Sequence, residues 1–408
     1  MNIYEVKELK KVDPISGASA ASLFSAIPQQ TSQLNTLSNI ALSRGIDLYQ
    51  KKSYEDAVKE FKRAIGLSPQ SENALKAYDF LATTYLQLDK TEDAIGAYKS
   101  SLKLVPSDSD THVKLANLYY SLNRYTEAET EYNTALSLNP NSTSLLYSLG
   151  QVYLATERYN NAESIYNRII SLSPNEYSGY YGLGQVYSKQ GKYDEAIREF
   201  SYVINLKKDF FYAYADIAYA YADKGEIDKA KEQVNILRGY NSSLADLVEN
   251  YIYEISSPGF LGVYTFSGFN SSLGPRTLLT DMSSSFSTAG ASKEFLMNFI
   301  FNKDMDVASV QNPYNWRISR ASGGTSGGIY NWGLSIPSTE IELSPFPERV
   351  IYDPYTLTAQ VTFQITQNSS ANGTIDPSHI VFGFYGKDIY GKTMDPAADE
   401  YSGISKIV

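Results

Sequence analysis

The sequence predicts a multidomain α + β chain, an all-α solenoid of paired helices followed by an all-β sandwich, and three observations carry the prediction. Pro69, Pro106, Pro140 and Pro174 recur at spacings of 37, 34 and 34 residues, each closing a phrase such as ALSLNP. Between the prolines, small and bulky residues recur in one fixed register. After Ser256 charge thins out, Ser, Gly and Thr rise, and helical periodicity gives way to alternation of period two. At 408 residues the chain exceeds what one hydrophobic core serves, which fits several domains.

Residues 1–37 form a polar N-terminal tail with early lysines and no apolar run behind them, so they lack the pattern of a secretory signal. Residues 38–255 hold six helical hairpins and a capping helix. Small residues at the eighth position are Gly45, Ala82, Ala116, Gly150, Gly184 and Ala218. Three residues on stand Leu48, Tyr85, Tyr119, Tyr153, Tyr187 and Tyr221. The twentieth position is always alanine, at 57, 94, 128, 162, 196 and 230, and four residues later come Phe61, Tyr98, Tyr132, Tyr166, Phe200 and Val234. Two helices of such a unit cannot bury their apolar stripes alone; small residues let the backbones approach and the aromatics fill the groove beside them. Gly191 and Gly225, and the phrases LDK, LNR and TER, mark the turn inside each hairpin. Proline cannot continue a helix and is well placed to start the next hairpin. Residues 243–254 read as the cap.

These residues resemble the tetratricopeptide repeat family over about 38–240. In that family the first helix of each hairpin lines the concave face, and its second, fifth, ninth and twelfth positions touch the ligand. Carried onto this chain, the resemblance implies a partner-binding face of Leu42, Ile46, Tyr49, Asp79, Thr83, Leu86, Asn117, Tyr120, Tyr147, Gln151, Tyr181, Gln185, Tyr212 and Tyr219. Members that hold chaperone tails use a Lys and Asn clamp on the carboxylate. The fifth positions here are Leu42, Asp79, Val113, Tyr147, Tyr181 and Ala215, so that clamp is missing. An aromatic and amide surface suits an extended or helical peptide.

Residues 256–290 read as a connector or packed arm, with Phe260, Tyr264, Phe266 and Phe269 arguing for the arm. Residues 291–408 read as the sandwich. Phe295, Met297, Phe299 and Phe301 alternate, as do Leu357, Ala359, Val361, Phe363 and Ile365, while VFGFYG and NWGLSI add strand candidates. The phrases around MDVASV (305–310), YDPYTLTAQV (352–361) and KDIYG (387–391) are similar to the bacterial Ig-like domain of S-layer and other surface proteins, a spacer and adhesion module. The GTSGG stretch at 324–328 departs from it as an extra loop.

Chemistry is sparse. The formal charge of −10 argues against nucleic acid and against an anionic membrane surface, and no apolar run reaches bilayer-spanning length. Cysteine is absent, which removes disulfides, thiolate metal sites and thiol nucleophiles. His112 occupies a packing position of the third unit, and His379 is expected at the surface. No phosphate loop, HExxH or GxSxG motif occurs. Asp304, Asp306, Asp353, Asp388 and Asp395 gather at expected loop ends, where turn formation is favoured over calcium.

The expectation is a non-enzymatic protein–protein interaction scaffold without cofactor or metal. Its partners would be its own copies, as a homo-oligomer, or another surface-assembly protein, held by the groove and the tail, with no nucleic acid and no membrane insertion. One version threads residues 1–36 of one copy into the groove or onto the sandwich of the next, building a ring or filament. A polar start without a signal then implies a bacterial surface location reached without signal cleavage, as in flagellar-type export. The rival is a soluble cytoplasmic or periplasmic adapter that binds a peptide of a different protein.

Overall fold

The computed structural model describes residues 17–265, 268–323 and 328–403, with side chains from residue 30 onward. The chain divides into two compact units, 1–208 and 209–408. Among the described residues the first holds ten helices: α1 (Gly17–Gln50), α2 (Tyr54–Leu67), α3 (Glu72–Gln87), α4 (Thr91–Leu104), α5 (Ser109–Ser121), α6 (Tyr125–Leu138), α7 (Thr143–Ala155), α8 (Tyr159–Leu172), α9 (Tyr177–Lys189) and α10 (Tyr193–Leu206). Each odd helix pairs with the next even one, and each hairpin stacks on its neighbour through one continuous core.

The proline period has a local cause. Two residues after each proline comes a capping residue, Ser71, Asp108, Ser142 or Glu176, whose side chain accepts from a backbone N–H of the first turn. Inside the hairpins the turn places one residue in the left-handed region: Lys52, Asp89, Asn123, Glu157 and Gly191 in this unit. The twentieth-position alanines have no exposed surface, and the eighth-position residues leave room for the bulky residue of the paired helix. A Cβ on Gly150 would lie 2.6 Å from the Tyr166 ring, and one on Gly182 would lie 2.2 Å from it. Tyr166 is therefore clamped by two glycines of successive hairpins. The expected tail needs correction at its end, since α1 already runs from Gly17; residues 1–16 lie outside the described residues.

The second unit begins with α11 (Phe211–Asp223), α12 (Ile227–Arg238) and α13 (Ser242–Ile255), the expected sixth hairpin and cap. Among the described residues nine strands follow: β1 (Phe260–Thr265), β2 (Thr277–Leu278), β3 (Ser292–Phe301), β4 (Trp316–Arg320), β5 (Arg349–Asp353), β6 (Thr358–Thr366), β7 (Thr374–Ile375), β8 (Ile380–Phe384) and β9 (Glu400–Tyr401). They form an antiparallel sheet of order β1-β3-β6-β5, another of order β4-β8-β9, and a small β2-β7 pair. Phe295, Met297, Phe299 and Phe301 of β3 and Val361, Phe363 and Ile365 of β6 share one core with Trp316, Ile318, Phe382 and Phe384 of the second sheet.

Two sequence expectations change here. Residues 256–290, expected as a connector or packed arm ahead of the sandwich, are packed and belong to the sheet region itself: β1 pairs with β3, and Phe269, Leu279 and Phe286 are buried. Its alternation was masked because β1 is an edge strand with a bulge between Phe260 and Gly262. NWGLSI is no strand, because Asn331, Trp332 and Gly333 all take positive φ (51°, 53° and 76°) and wind the chain into a tight turn. The GTSGG loop falls largely outside the described residues.

Lys303 joins α13 to the sheets. Its ammonium, almost fully buried, lies 2.6 Å from Asp388 Oδ2 and donates to the carbonyls of Ser256 (2.8 Å) and Glu254 (3.2 Å) at the helix C-terminus. The rings of Tyr253 and Tyr390 flank it at 5.1 and 5.0 Å. A cation suits the negative end of a helix and the faces of aromatic rings.

Candidate functional site: the first-helix face of the hairpins

The odd helices of the first unit present a row of side chains, one per hairpin, built on one rule. In the second, third and fourth hairpins the tyrosine of the second helix reaches the ninth residue of its own first helix, fifteen positions earlier. Tyr132 Oη donates to Asn117 Oδ1, and the Tyr166 hydroxyl accepts from Gln151 Nε2 at 2.8 Å. Tyr98 has Thr83 as its counterpart in the hairpin before. In the fifth hairpin Phe200 has no hydroxyl, and Gln185 instead turns to its neighbour, its Oε1 accepting from Gln151 Nε2 at 3.0 Å. Gln151 and Gln185 are thus a two-rung amide ladder between equivalent positions of successive hairpins. Burial raises the Tyr98, Tyr132 and Tyr166 hydroxyls above the usual phenol range, so these groups stay neutral donors and acceptors.

Aromatic rings wall the row. Tyr147 lies 5.7 Å from Tyr166, Tyr181 5.7 Å from Phe200, Tyr120 5.6 Å from Tyr125, and Tyr49 5.5 Å from Tyr54. Asp79 pairs with Lys114 at 2.5 Å, so the one carboxylate of the expected set is compensated. Thr83 Oγ1 donates to the Asp79 carbonyl at 2.9 Å.

Of the residues expected to bind, Asn117 is exposed, while Ile46, Tyr49, Asp79, Thr83, Leu86, Tyr120, Tyr147, Gln151, Tyr181 and Gln185 are half-buried. Leu42 is buried in the core at 5 % exposure, because the first helix packs that position against its neighbours, and it is not available to a partner. Tyr212 and Tyr219 lie on α11 in the second unit: Tyr212 is half exposed beside Phe211 (4.5 Å), and Tyr219 packs edge-on to Tyr251 (5.0 Å). Sequence reasoning missed Tyr132, Tyr166 and Lys114 as parts of this face. The fifteen-residue interval between a tyrosine and an Asn or Gln was the signal that could have found the tyrosines.

The histidines carry no exposed chemistry. His112 is buried as expected, with Nδ1 2.5 Å from Glu131 Oε2 and Nε2 3.0 Å from the Pro106 carbonyl. His379 corrects the surface expectation. It is 4 % exposed, and its Nδ1 faces both Asp376 Oδ2 (2.7 Å) and Ser378 Oγ (2.8 Å). Serine and carboxylate meet the same ring nitrogen, whereas a nucleophilic triad needs them on opposite ones. The five loop aspartates act as turn caps or ion-pair partners: Asp306 accepts from Ser309 N, Asp353 from Tyr355 N, Asp395 from Ala397 N and Asp304 from the Tyr253 hydroxyl, while Asp388 meets Lys303. Among the described residues no group of carboxylates and histidines is arranged to hold a metal, and no helix is long and apolar enough to cross a membrane.

Comparison with known families bears on the hairpins directly. Residues 116–157 and 184–225 match a TPR repeat model, and residues 143–176 and 165–198 match two tetratricopeptide repeat models. The hairpins between residues 116 and 225 match tetratricopeptide repeats. Proteins with such repeats mediate protein–protein interaction, and no catalytic family is indicated. Among solved structures, a tetratricopeptide repeat protein from Parabacteroides merdae is 21 % identical over 53 % of this chain and 86 % of its own, with a TM-score of 0.48. The MamA protein is 26 % identical over 43 % of this chain and 96 % of its own (TM-score 0.37). YrrB, described as a TPR protein with an unusual peptide-binding site, is 23 % identical over 47 % of this chain and 97 % of its own (TM-score 0.36). A comparison with curated proteins gives no match.

Proposed function

We propose that this tetratricopeptide repeat protein is a non-enzymatic scaffold whose first-helix face holds an uncharged, extended peptide segment. The carrying observation is the row of neutral tyrosine–amide pairs, Tyr132–Asn117 and Tyr166–Gln151–Gln185, with Asp79–Lys114 as a compensated ion pair at its edge. Side-chain amides offer the donor and acceptor that a peptide backbone itself requires, and tyrosine faces give area at small conformational cost. Selection of random displayed peptides on the whole chain tests this. Neutral, aromatic-containing peptides are expected, and Gln151→Lys with Gln185→Lys should weaken them about tenfold, the loss of roughly one good hydrogen bond. Peptides that bind the double variant equally well would sink the reading.

We further propose that the strand-rich region is an Ig-like sandwich of the bacterial surface-protein kind. Constant-type Ig domains order their sheets ABED and CFG. Named in chain order with the short β2 and β7 left aside, the strands here give the same two orders. Trp316 on the third of these strands packs on Phe299 (5.1 Å) and Phe384 (4.7 Å), rings from the second and sixth. This pairing of modules supports a role in a surface assembly. Failure to find the protein outside cells removes that location and leaves the cytoplasmic or periplasmic adapter.

A further inference from the structure

The turn 328–336 presents a contradiction that packing does not explain. Ile329, Trp332, Leu334 and Ile336 are 53, 70, 55 and 53 % exposed within eight residues. Trp332 stands at φ 53°, beside Asn331 at 51°, in a region that bulky residues avoid. The strained turn is nonetheless bolted down. Asn331, 2 % exposed, donates its backbone N–H to Asp376 Oδ2 (2.8 Å) and its side-chain amide to the carbonyls of Ser335 (3.0 Å) and Leu334 (3.3 Å). Below it the Tyr330 hydroxyl donates to Glu340 and accepts from the Asp376 N–H. Strain fixed by a buried polar network, with apolar side chains held out into water, is the arrangement of an element preset for contact.

The occupant follows from charge and area. No charged residue occurs from Ala321 to Ser338, in a chain whose residues are 20 % charged and whose net charge is −10. A basic or acidic partner surface gains nothing from such a turn. The four side chains expose on the order of 500 Å², well short of the roughly 800 Å² per partner of a stable interface. Flat pairing of two such turns is therefore too small, whereas insertion into a concave, uncharged, aromatic surface buries the turn on several sides. This chain carries a surface of that chemistry in its tyrosine–amide row. We infer that the Trp332 turn of one copy is the ligand of the first-helix face of a second copy. The inference rests on the peptide-binding reading of that face and names its occupant. Because the two patches differ, the contact is head-to-tail and propagates.

The chain supplies its own probe. Its tryptophans are Trp316, 1 % exposed, and Trp332, so solvent-quenched emission reports Trp332 alone. The test follows the purified full chain by light scattering and acrylamide quenching over a concentration series. Wild type is expected to grow in mass while Trp332 loses at least half its quenching. Trp332→Ser should stay monomeric with unchanged melting, and the pair Gln151→Lys/Gln185→Lys should stay monomeric with a folded helical signal and melting lowered only by loss of the amide bonds to Tyr166 and between the two residues. Mixed, they should give a dimer and nothing larger, since each keeps the half the other lacks. Wild type that stays near 45 kDa throughout overturns the inference and leaves the face to another protein's peptide. Assembly that persists in Trp332→Ser but stops on deleting residues 1–16 assigns the contact to that segment and overturns it too. Loss in Trp332→Ser with none in the lysine variant overturns the role of the face itself. Shielding of Trp332 by neutral phosphatidylcholine vesicles, in a chain that does not assemble, makes the turn a membrane contact instead.

Discussion

Replacing Lys303 by Met should destabilise the second unit by about 3 kcal/mol, the low end of what removing one member of a buried ion pair costs. The structure sets the magnitude. Methionine matches the apolar stem, so packing loss is small, and the change is chiefly electrostatic. Asp388 keeps part of its compensation, since its Oδ1 accepts from the N–H groups of Tyr390 (2.9 Å) and Lys392 (2.7 Å). The carbonyls of Glu254 and Ser256 lose a donor at the end of α13. Asp388→Asn should cost a similar amount, because it leaves a buried ammonium facing only carbonyls and two rings. The double variant Lys303→Met/Asp388→Asn should recover a large part of the loss, with a coupling energy of roughly 1–3 kcal/mol. Urea unfolding followed by circular dichroism gives the free energies, and hydrogen exchange of residues 250–256 locates the effect. A change within about 0.5 kcal/mol for Lys303→Met, the range of ordinary surface substitutions, would refute the reasoning.

Further expectations are smaller or more local. Gly182→Ala should cost about 1–3 kcal/mol, because the added methyl meets the Tyr166 ring and its backbone cannot withdraw; Tyr166→Phe should cost about 1 kcal/mol through the bond to Gln151 and change peptide selection on the same face. Gly191→Ala should cost about 1 kcal/mol by placing a side chain at φ 72°, whereas Glu157→Gly at the equivalent turn should be neutral or stabilising; paired thermal melts decide both. Asp399 is pushed up to about 6 by burial and by the neighbouring Glu400 and Asp395 carboxylates. The folded state then binds more protons than the unfolded one between about pH 4 and 6, so this group's contribution falls as pH rises through that window. Asp399→Asn should flatten the stability profile there and raise the melting temperature at pH 8; an unchanged profile would remove Asp399 as its cause.

The repeat was legible because it is written twice. The period appears in the prolines, and again in small and bulky residues that physically meet, as Gly150 and Gly182 do around Tyr166. The hairpin turns were readable at Gly191 and Gly225 and in the phrases LDK, LNR and TER, yet Lys52 adopts the same left-handed backbone without any residue preference to announce it. In the strand region β3 and β6 were readable because one face is wholly buried. β1 was not, since an edge strand with a bulge buries little and shows no alternation. His379 was misplaced for a similar reason: its burial depends on Asp376 and Ser378 folding back on it, a contact that no period records.

The same logic separates the two halves of the candidate site. Asn117, Gln151 and Gln185 could be read from the family's concave positions, since hairpin geometry returns the ninth residue to one face each turn of the repeat. The tyrosines beneath them could not be read that way, because an aromatic at the twenty-fourth position already has a structural reason to exist. Tyr132 and Tyr166 meet that reason with their rings and use only the hydroxyl for the amide above. Phe200 meets it equally well without one, and there Gln185 is bound instead by Gln151. Ring and hydroxyl are thus under different constraints at one position. Tyrosine-to-phenylalanine exchange leaves the stack in place while altering the surface offered to a partner, and it distinguishes a recognition face from polar decoration of a solenoid.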